Sequence, residues 1–315
     1  SNEEIRSIHN PDEFFKIHIN GTYFVVEDLD IRNNGTGVND LNKQYYNITL
    51  DFQGYQLFMD NRRNEVFYPG LGPEGKLLNL DLHYYVTNPN KVLYVNSIFN
   101  TNMGLMSNIK ITLEEAIEAP AVTQFSLLCG SNNGIIENFI VHTKDSIHVS
   151  DDFGLVARGT YRGTIRNGYL YGEKVIASYQ STSGDQKRVG TVVGHLSQGS
   201  VVENVYSLID IDAYPLEDSE SNDRVGNLVG YTENSTVRNV YSVADGENRD
   251  LNTDPNLGII SNVQSQNSFY INNSIYNTSY SLKTSKTALW NNTFQDRLLN
   301  SSTNQFNVKE FVSYG

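Results

Sequence analysis

One cysteine, one tryptophan, three methionines and seven prolines are all that 315 residues hold of those four types. A lone cysteine, Cys129, can neither close an internal disulfide nor supply a cysteine metal cluster. It follows Phe125-Ser126-Leu127-Leu128, an apolar setting that suits a buried, inert thiol better than a nucleophile. Uninterrupted apolar runs of about 18 residues are missing, so nothing in the sequence spans a bilayer as a helix. Positive charge is scarce as well. The 23 Lys and Arg stand against 36 Asp and Glu, a formal net charge of -13. Nucleic acid and anionic membranes both select a basic face, so neither is an expected partner. The apolar share, 38%, is low for a globular chain. A repeat protein with a narrow core and a large wall accounts for that deficit.

What the chain has in quantity is strand-forming aromatic residues, 20 Tyr and 14 Phe. It also has an internal repeat. One motif pairs an apolar and a variable residue with Asn, then an apolar strand. It reads Ile136-Glu137-Asn138-Phe139, Ile165-Arg166-Asn167-Gly168, Val202-Glu203-Asn204-Val205 and Val237-Arg238-Asn239-Val240. Weaker copies centre on Asn79, Asn108 and Asn273, and the seven Asn are separated by 29, 30, 29, 37, 35 and 34 residues. A second motif runs between the first. It reads Phe153-Gly154-Leu155-Val156, Val189-Gly190-Thr191-Val192, Val225-Gly226-Asn227-Leu228 and Leu257-Gly258-Ile259-Ile260.

Two phase-locked motifs without a helical period specify stacked units of short strands. The expected fold is therefore all-β, a right-handed parallel β-helix (solenoid) of about seven or eight coils with two short strands per unit. Asn79, Asn108, Asn138, Asn167, Asn204, Asn239 and Asn273 form a structural ladder at a turn in this reading. Gly154, Gly190, Gly226 and Gly258 mark positive φ or close approach between coils. Residues 1–70 are expected to form an amino-terminal cap and the first coils, 71–280 the repeats, and 281–315 a carboxy-terminal cap or linker. Within the cap, Asn10-Pro11-Asp12-Glu13-Phe14-Phe15 predicts a short helix with Asn10 as N-cap. Thr112 to Ile117 reads as strand by its place in the repeat. The last stretch, with Trp290 and Phe294, loses the repeat.

Catalytic motifs are lacking. His9, His18, His83, His142, His148 and His195 never fall into H-E-x-x-H, and no phosphate loop or G-x-S-x-G elbow occurs. His142 and His148 flank Asp145, Asp151 and Asp152, an acidic patch that reads first as a solvated turn. A glycan-cleaving β-helix would need converging carboxylates. Asp81, Asp151, Asp152, Asp210 and Asp212 are the candidates, with Asp210 and Asp212 alternating along one strand. Loops at 178–188 and 212–224 enlarge the later coils, and the second contains the acidic run 217–223. They are the places where a binding surface would grow.

The paired motifs, Val225 to Gly230 followed by Ser235 to Ser242, resemble GLUG-type repeats of the Gram-positive bacterial immunoglobulin-A-specific zinc metallopeptidases. Leu289-Trp290-Asn291-Asn292-Thr293-Phe294 and Asn307 to Gly315 resemble the segment before their catalytic region. Asp28-Leu29-Asp30-Ile31 and Leu50-Asp51-Phe52-Gln53-Gly54 fit the likeness at the other end. The resemblance implies a secreted or cell-wall-attached protease whose zinc motif lies beyond residue 315. This chain would then be a non-catalytic recognition or spacer module, a monomer without a cofactor of its own, acting on a host glycoprotein such as immunoglobulin A. No catalytic or metal residue transfers to these 315 positions, and the binding residues stay unassigned. A surface adhesin and a polysaccharide-active enzyme are the alternative readings. The chain begins Ser1-Asn2 without Met, so the parent protein's ends are expected to lie outside it.

Overall fold

A computed structural model describes residues 4–17, 20–32, 45–60, 68–86, 98–118, 126–149, 151–178, 188–214, 224–244, 269–272 and 282–283. The architecture is a parallel β-solenoid, with strand pairs parallel throughout the described residues. Its strands fall into a 13-stranded main sheet, a second sheet of six strands, a third of four, and a separate two-stranded pair. In the repeat region, chain order through a coil is second sheet, main sheet, third sheet. The four complete coils carry the main-sheet strands Leu105–Leu113, Ile135–Thr143, Thr164–Gly172 and Val201–Ser207.

Among the described residues four coils are complete, each of three strands, against the expected seven or eight coils of two. The third-sheet strands are Ile117–Glu118, Ile147–Val149, Val175–Ser178 and Ile211–Tyr214. Two to four residues are too short to show alternation, which is why they read as turns. The same shortness splits the segment 112–117. Strand continues to Leu113, a turn follows, and pairing resumes at Ile117. Asp212, expected on one strand with Asp210 and at the start of the loop 212–224, lies on the strand Ile211–Tyr214, which Asp210 precedes. Residues 179–187 and 215–223, together with Asn273, Gly258, Trp290 and Phe294, lie outside the described residues.

Register follows the repeat. Lys76 pairs with Leu105, Leu105 with Ile135, Ile135 with Thr164, Thr164 with Val201, and Val201 with Thr236. Inward positions stack as aliphatic columns. Leu82, Ile111, Val141 and Leu170 form one such column, each at most 1% exposed. At the amino end, the helix Pro11–Phe15 starts where Asn10 Oδ1 accepts from the Glu13 amide, 3.0 Å away. Its Phe14 is fully buried, with ring centroids 6.5 Å from Phe52 and 6.1 Å from Tyr68. Phe14 thus caps the aromatic start of the core, covering apolar surface that a strand edge alone would leave wet.

Candidate functional site: the outer face of the main sheet

Five of the described main-sheet strands bend at an asparagine. Asn79, Asn108, Asn138, Asn167 and Asn204 all sit at φ between 54° and 58°, the left-handed region that Asn tolerates better than other side-chain-bearing residues. Asn108 Nδ2 donates to Asn79 Oδ1 at 2.7 Å, and Asn204 Nδ2 to Asn167 Oδ1 at 3.1 Å. Asn79 Nδ2 donates to Asp51 Oδ1 at 3.0 Å, while Asn138 turns to Glu137 Oε2 at 3.3 Å. Asn239 holds the equivalent position one coil further on. Left-handed backbone puts two successive side chains on the outer side at the bend, where Asn167, Glu203 and Asn204 are nevertheless buried against their neighbours.

The variable residues form a column. Glu137, Arg166, Glu203 and Arg238 are register partners, alternating in sign. Arg166 Nη2 lies 3.1 Å from Glu137 Oε1, and Arg238 Nη2 lies 2.8 Å from Glu203 Oε2. Beyond the bend stands a line of rings. Tyr206 stacks on Tyr169 with centroids 5.0 Å apart and planes 3° from parallel. Tyr169 stacks on Tyr171 at 5.8 Å, and Tyr171 on His142 at 4.2 Å. All four rings are half-buried, and Leu208 beside them is 42% exposed. Burial, first of all, holds the Tyr169 and Tyr171 phenols above their ordinary pKa. It also lowers that of His142, with Lys144 and Lys110 adding to the effect. The line is therefore uncharged near neutral pH.

Toward the amino end the same face becomes ionic. His83 Nδ1 lies 2.7 Å from Glu114 Oε1. Its Nε2 lies 3.2 Å from Asp81 Oδ1, close but too skewed for an aligned hydrogen bond. Glu114 Oε2 also takes Lys144 Nζ at 2.7 Å, so the chain of charges crosses three coils. Phe58 stacks on the His83 ring at 5.1 Å. Asp81, first, and then Glu114 raise the His83 pKa against the opposing effect of burial.

The candidate acids do not converge on one point. Asp81 faces His83, Asp152 holds Arg188 through both oxygens at 3.2 and 2.6 Å, and Asp212 takes Lys174 at 2.8 Å. Asp210 precedes the strand that carries Asp212. His142 stacks on Tyr171. Among the described residues, no group of three or more His, Cys, Asp or Glu is arranged to hold a metal ion. Cys129 is fully buried, and burial raises its thiol pKa far above the usual value.

Two polar devices escaped the sequence reading. Asn102 and Asn132, both fully buried, form an inner ladder in which Asn102 Nδ2 donates to Asn132 Oδ1 at 2.9 Å. Each side chain also accepts from the amide of the glycine two residues on, Gly104 or Gly134. The Asn-x-Gly spacing at 102–104 and 132–134 is the signal that could have revealed it. The second device joins the two repeat motifs. Thr191 Oγ1 donates to the Asn227 carbonyl at 2.5 Å and accepts from Ser207 Oγ at 3.0 Å, and Asn227 Nδ2 donates to Ser242 Oγ at 3.0 Å. In the preceding coil the equivalent positions are Leu155 and Leu170, both fully buried. Two positions 15 or 16 residues apart thus change polarity together. Of the repeated glycines, Gly154 and Gly190 mark close approach. An added Cβ would come within 2.2 Å of the Ala157 carbonyl oxygen at Gly154 and 2.4 Å of that of Leu228 at Gly190. The Gly226 amide donates to the Val189 carbonyl at 3.0 Å.

Fold and face together define a parallel β-solenoid with a ring-bearing outer wall. The chain matches no family model and no curated protein. Among solved structures it is similar to a candidate immunoglobulin A1 protease from Bacteroides ovatus. The identity is 13% and the TM-score 0.59, over 91% of this chain and 85% of that one. At that identity the likeness establishes the fold.

Proposed function

We propose that this chain is a non-catalytic recognition or spacer module of a secreted or cell-wall-attached zinc metalloprotease, engaging a host glycoprotein such as immunoglobulin A. The observation that carries the reading is the line Tyr206–Tyr169–Tyr171–His142. Half-exposed rings beside an exposed leucine form a contact surface, and aromatic residues are enriched where proteins meet partners. The charges around them are matched in ion pairs along the wall, so recognition falls to rings and hydroxyls. The solved structure sharing this fold bears an immunoglobulin A1 protease designation, which supports the assignment to such a protease. The resemblance of 225–242 to GLUG repeats supports a Gram-positive source and a zinc motif beyond residue 315.

The test is direct. The purified chain is immobilised and exposed to intact immunoglobulin A, with cleavage followed on gels. Saturable binding without cleavage is expected, and it should weaken in Tyr169→Ala and Tyr206→Ala. An absence of binding would leave the spacer role only, and cleavage by the isolated chain would overturn the non-catalytic one.

A further inference from the structure

We infer that the tyrosine line binds a neutral oligosaccharide laid along the coil axis, an inference that rests on the recognition reading above and names what is recognised. Tyr169 and Tyr206 are register partners on adjacent coils, with centroids 5.0 Å apart. That is the rung spacing of about 4.8 Å in a parallel sheet. A ligand built of repeating units of similar length meets equivalent atoms on successive coils, as pyranose chains do. Nearly parallel rings turn their faces to one another, which leaves edges and phenol hydroxyls as the accessible chemistry. A phenol hydroxyl both donates and accepts, the capacity that matches sugar hydroxyls.

Charge selects further. Glu137–Arg166 and Glu203–Arg238 on one side, and Glu114–Lys144 on the other, neutralise one another within the wall. Of the two cations that act on His142, Lys144 is held by Glu114 and Lys110 is the register partner of Asp81, and the chain carries a net charge of -13. A sulfated or carboxylated glycan would meet repulsion, whereas a neutral one would not. His142 and Leu208 extend the patch with an uncharged ring and an aliphatic surface for the apolar face of a sugar.

The experiment titrates the full chain by calorimetry with neutral tetrasaccharides of glucose, mannose and N-acetylglucosamine, and with a sulfated tetrasaccharide. In parallel, intact and enzymatically deglycosylated immunoglobulin A are compared on the immobilised chain. Tyr169→Phe and Tyr206→Phe keep the stacked rings and remove only hydroxyls, and their melting temperatures separate any loss of stability from a loss of binding. At least one neutral tetrasaccharide should bind. Each substitution should weaken it about threefold to tenfold, the worth of one hydrogen bond, and the sulfated sugar should bind less well. Wild-type sugar affinity in both variants, or no binding of any neutral tetrasaccharide, overturns the inference. Immunoglobulin bound equally with and without glycans overturns it while leaving the recognition reading intact. Sugar binding without immunoglobulin binding does the reverse.

Discussion

At Gly104 an added methyl would sit 2.2 Å from the Gly75 carbonyl oxygen and 2.5 Å from that of Gly72, both backbone atoms of the preceding coil. Backbone held by its own ladder cannot step aside, so Gly104→Ala should cost about 3 kcal/mol, at the upper end for overpacking. Gly199 has open space around it but a φ of +76°. Gly199→Ala should therefore cost only about 1 kcal/mol of left-handed strain. Urea midpoints of the two variants would rank them. The Asn227–Ser242 bond makes a second residue-scale prediction. Asn227→Leu alone strands a buried hydroxyl and should cost about 1–3 kcal/mol. Adding Ser242→Leu recreates the apolar pairing of Leu155 and Leu170. The double variant should be more stable than the two single effects predict, by about 1 kcal/mol in a double-mutant cycle. The outer asparagines are legible in sequence because left-handed backbone demands a particular residue type at every coil. The polar pair Asn227–Ser242 is not, because its partners meet across the core and each looks ordinary in its own motif.

Neighbouring strands are tied by the ionic chain Asp81–His83–Glu114–Lys144, which joins the main-sheet strand 76–85 to the next two coils. The His83 pKa is raised in the folded state, by Asp81 first and Glu114 second. Its contribution to stability is therefore full below its unfolded value of about 6.5 and disappears as pH climbs through the folded value. Glu114 is lowered through Lys144 and His83 against burial, so its contribution is present above its unfolded pKa and is lost as pH falls through the folded one. The clasp is strongest in the window between those two limits. Wild type should exceed His83→Gln in thermal midpoint in mildly acidic buffer, and the difference should shrink steadily toward alkaline pH. A gap that does not vary with pH would show that His83 contributes packing against Phe58 rather than charge. Aspartate, histidine and glutamate at 81, 83 and 114 carry no local motif. Only the register, which sets His83 beside Thr112 and hence close to Glu114, brings them together.

As a whole the molecule is a stack in which each coil meets only its neighbours, so stability should add coil by coil. Leu105 and Ile135 are register equivalents, each preceded by glycine, Gly104 and Gly134. Deleting residues 105–134 removes one full turn and joins Gly104 to Ile135 in the same local sequence as before. That shortened chain should fold with unchanged strand signal in circular dichroism and a modestly lower melting temperature. Removing 105–119 instead leaves half a turn and should abolish the cooperative transition. The repeating architecture is readable from spacing alone. The number of complete coils is not, since the third sheet is built from strands of two to four residues.

The column Glu137, Arg166, Glu203, Arg238 behaves as a parity check on assembly. A frame error of a single turn sets acid over acid and base over base. An error of two turns restores every attraction. Mispaired or exchanged chains of this protein should accordingly prefer even offsets, and a lone reversal, Glu203→Arg, would erase that discrimination while leaving the apolar interior untouched.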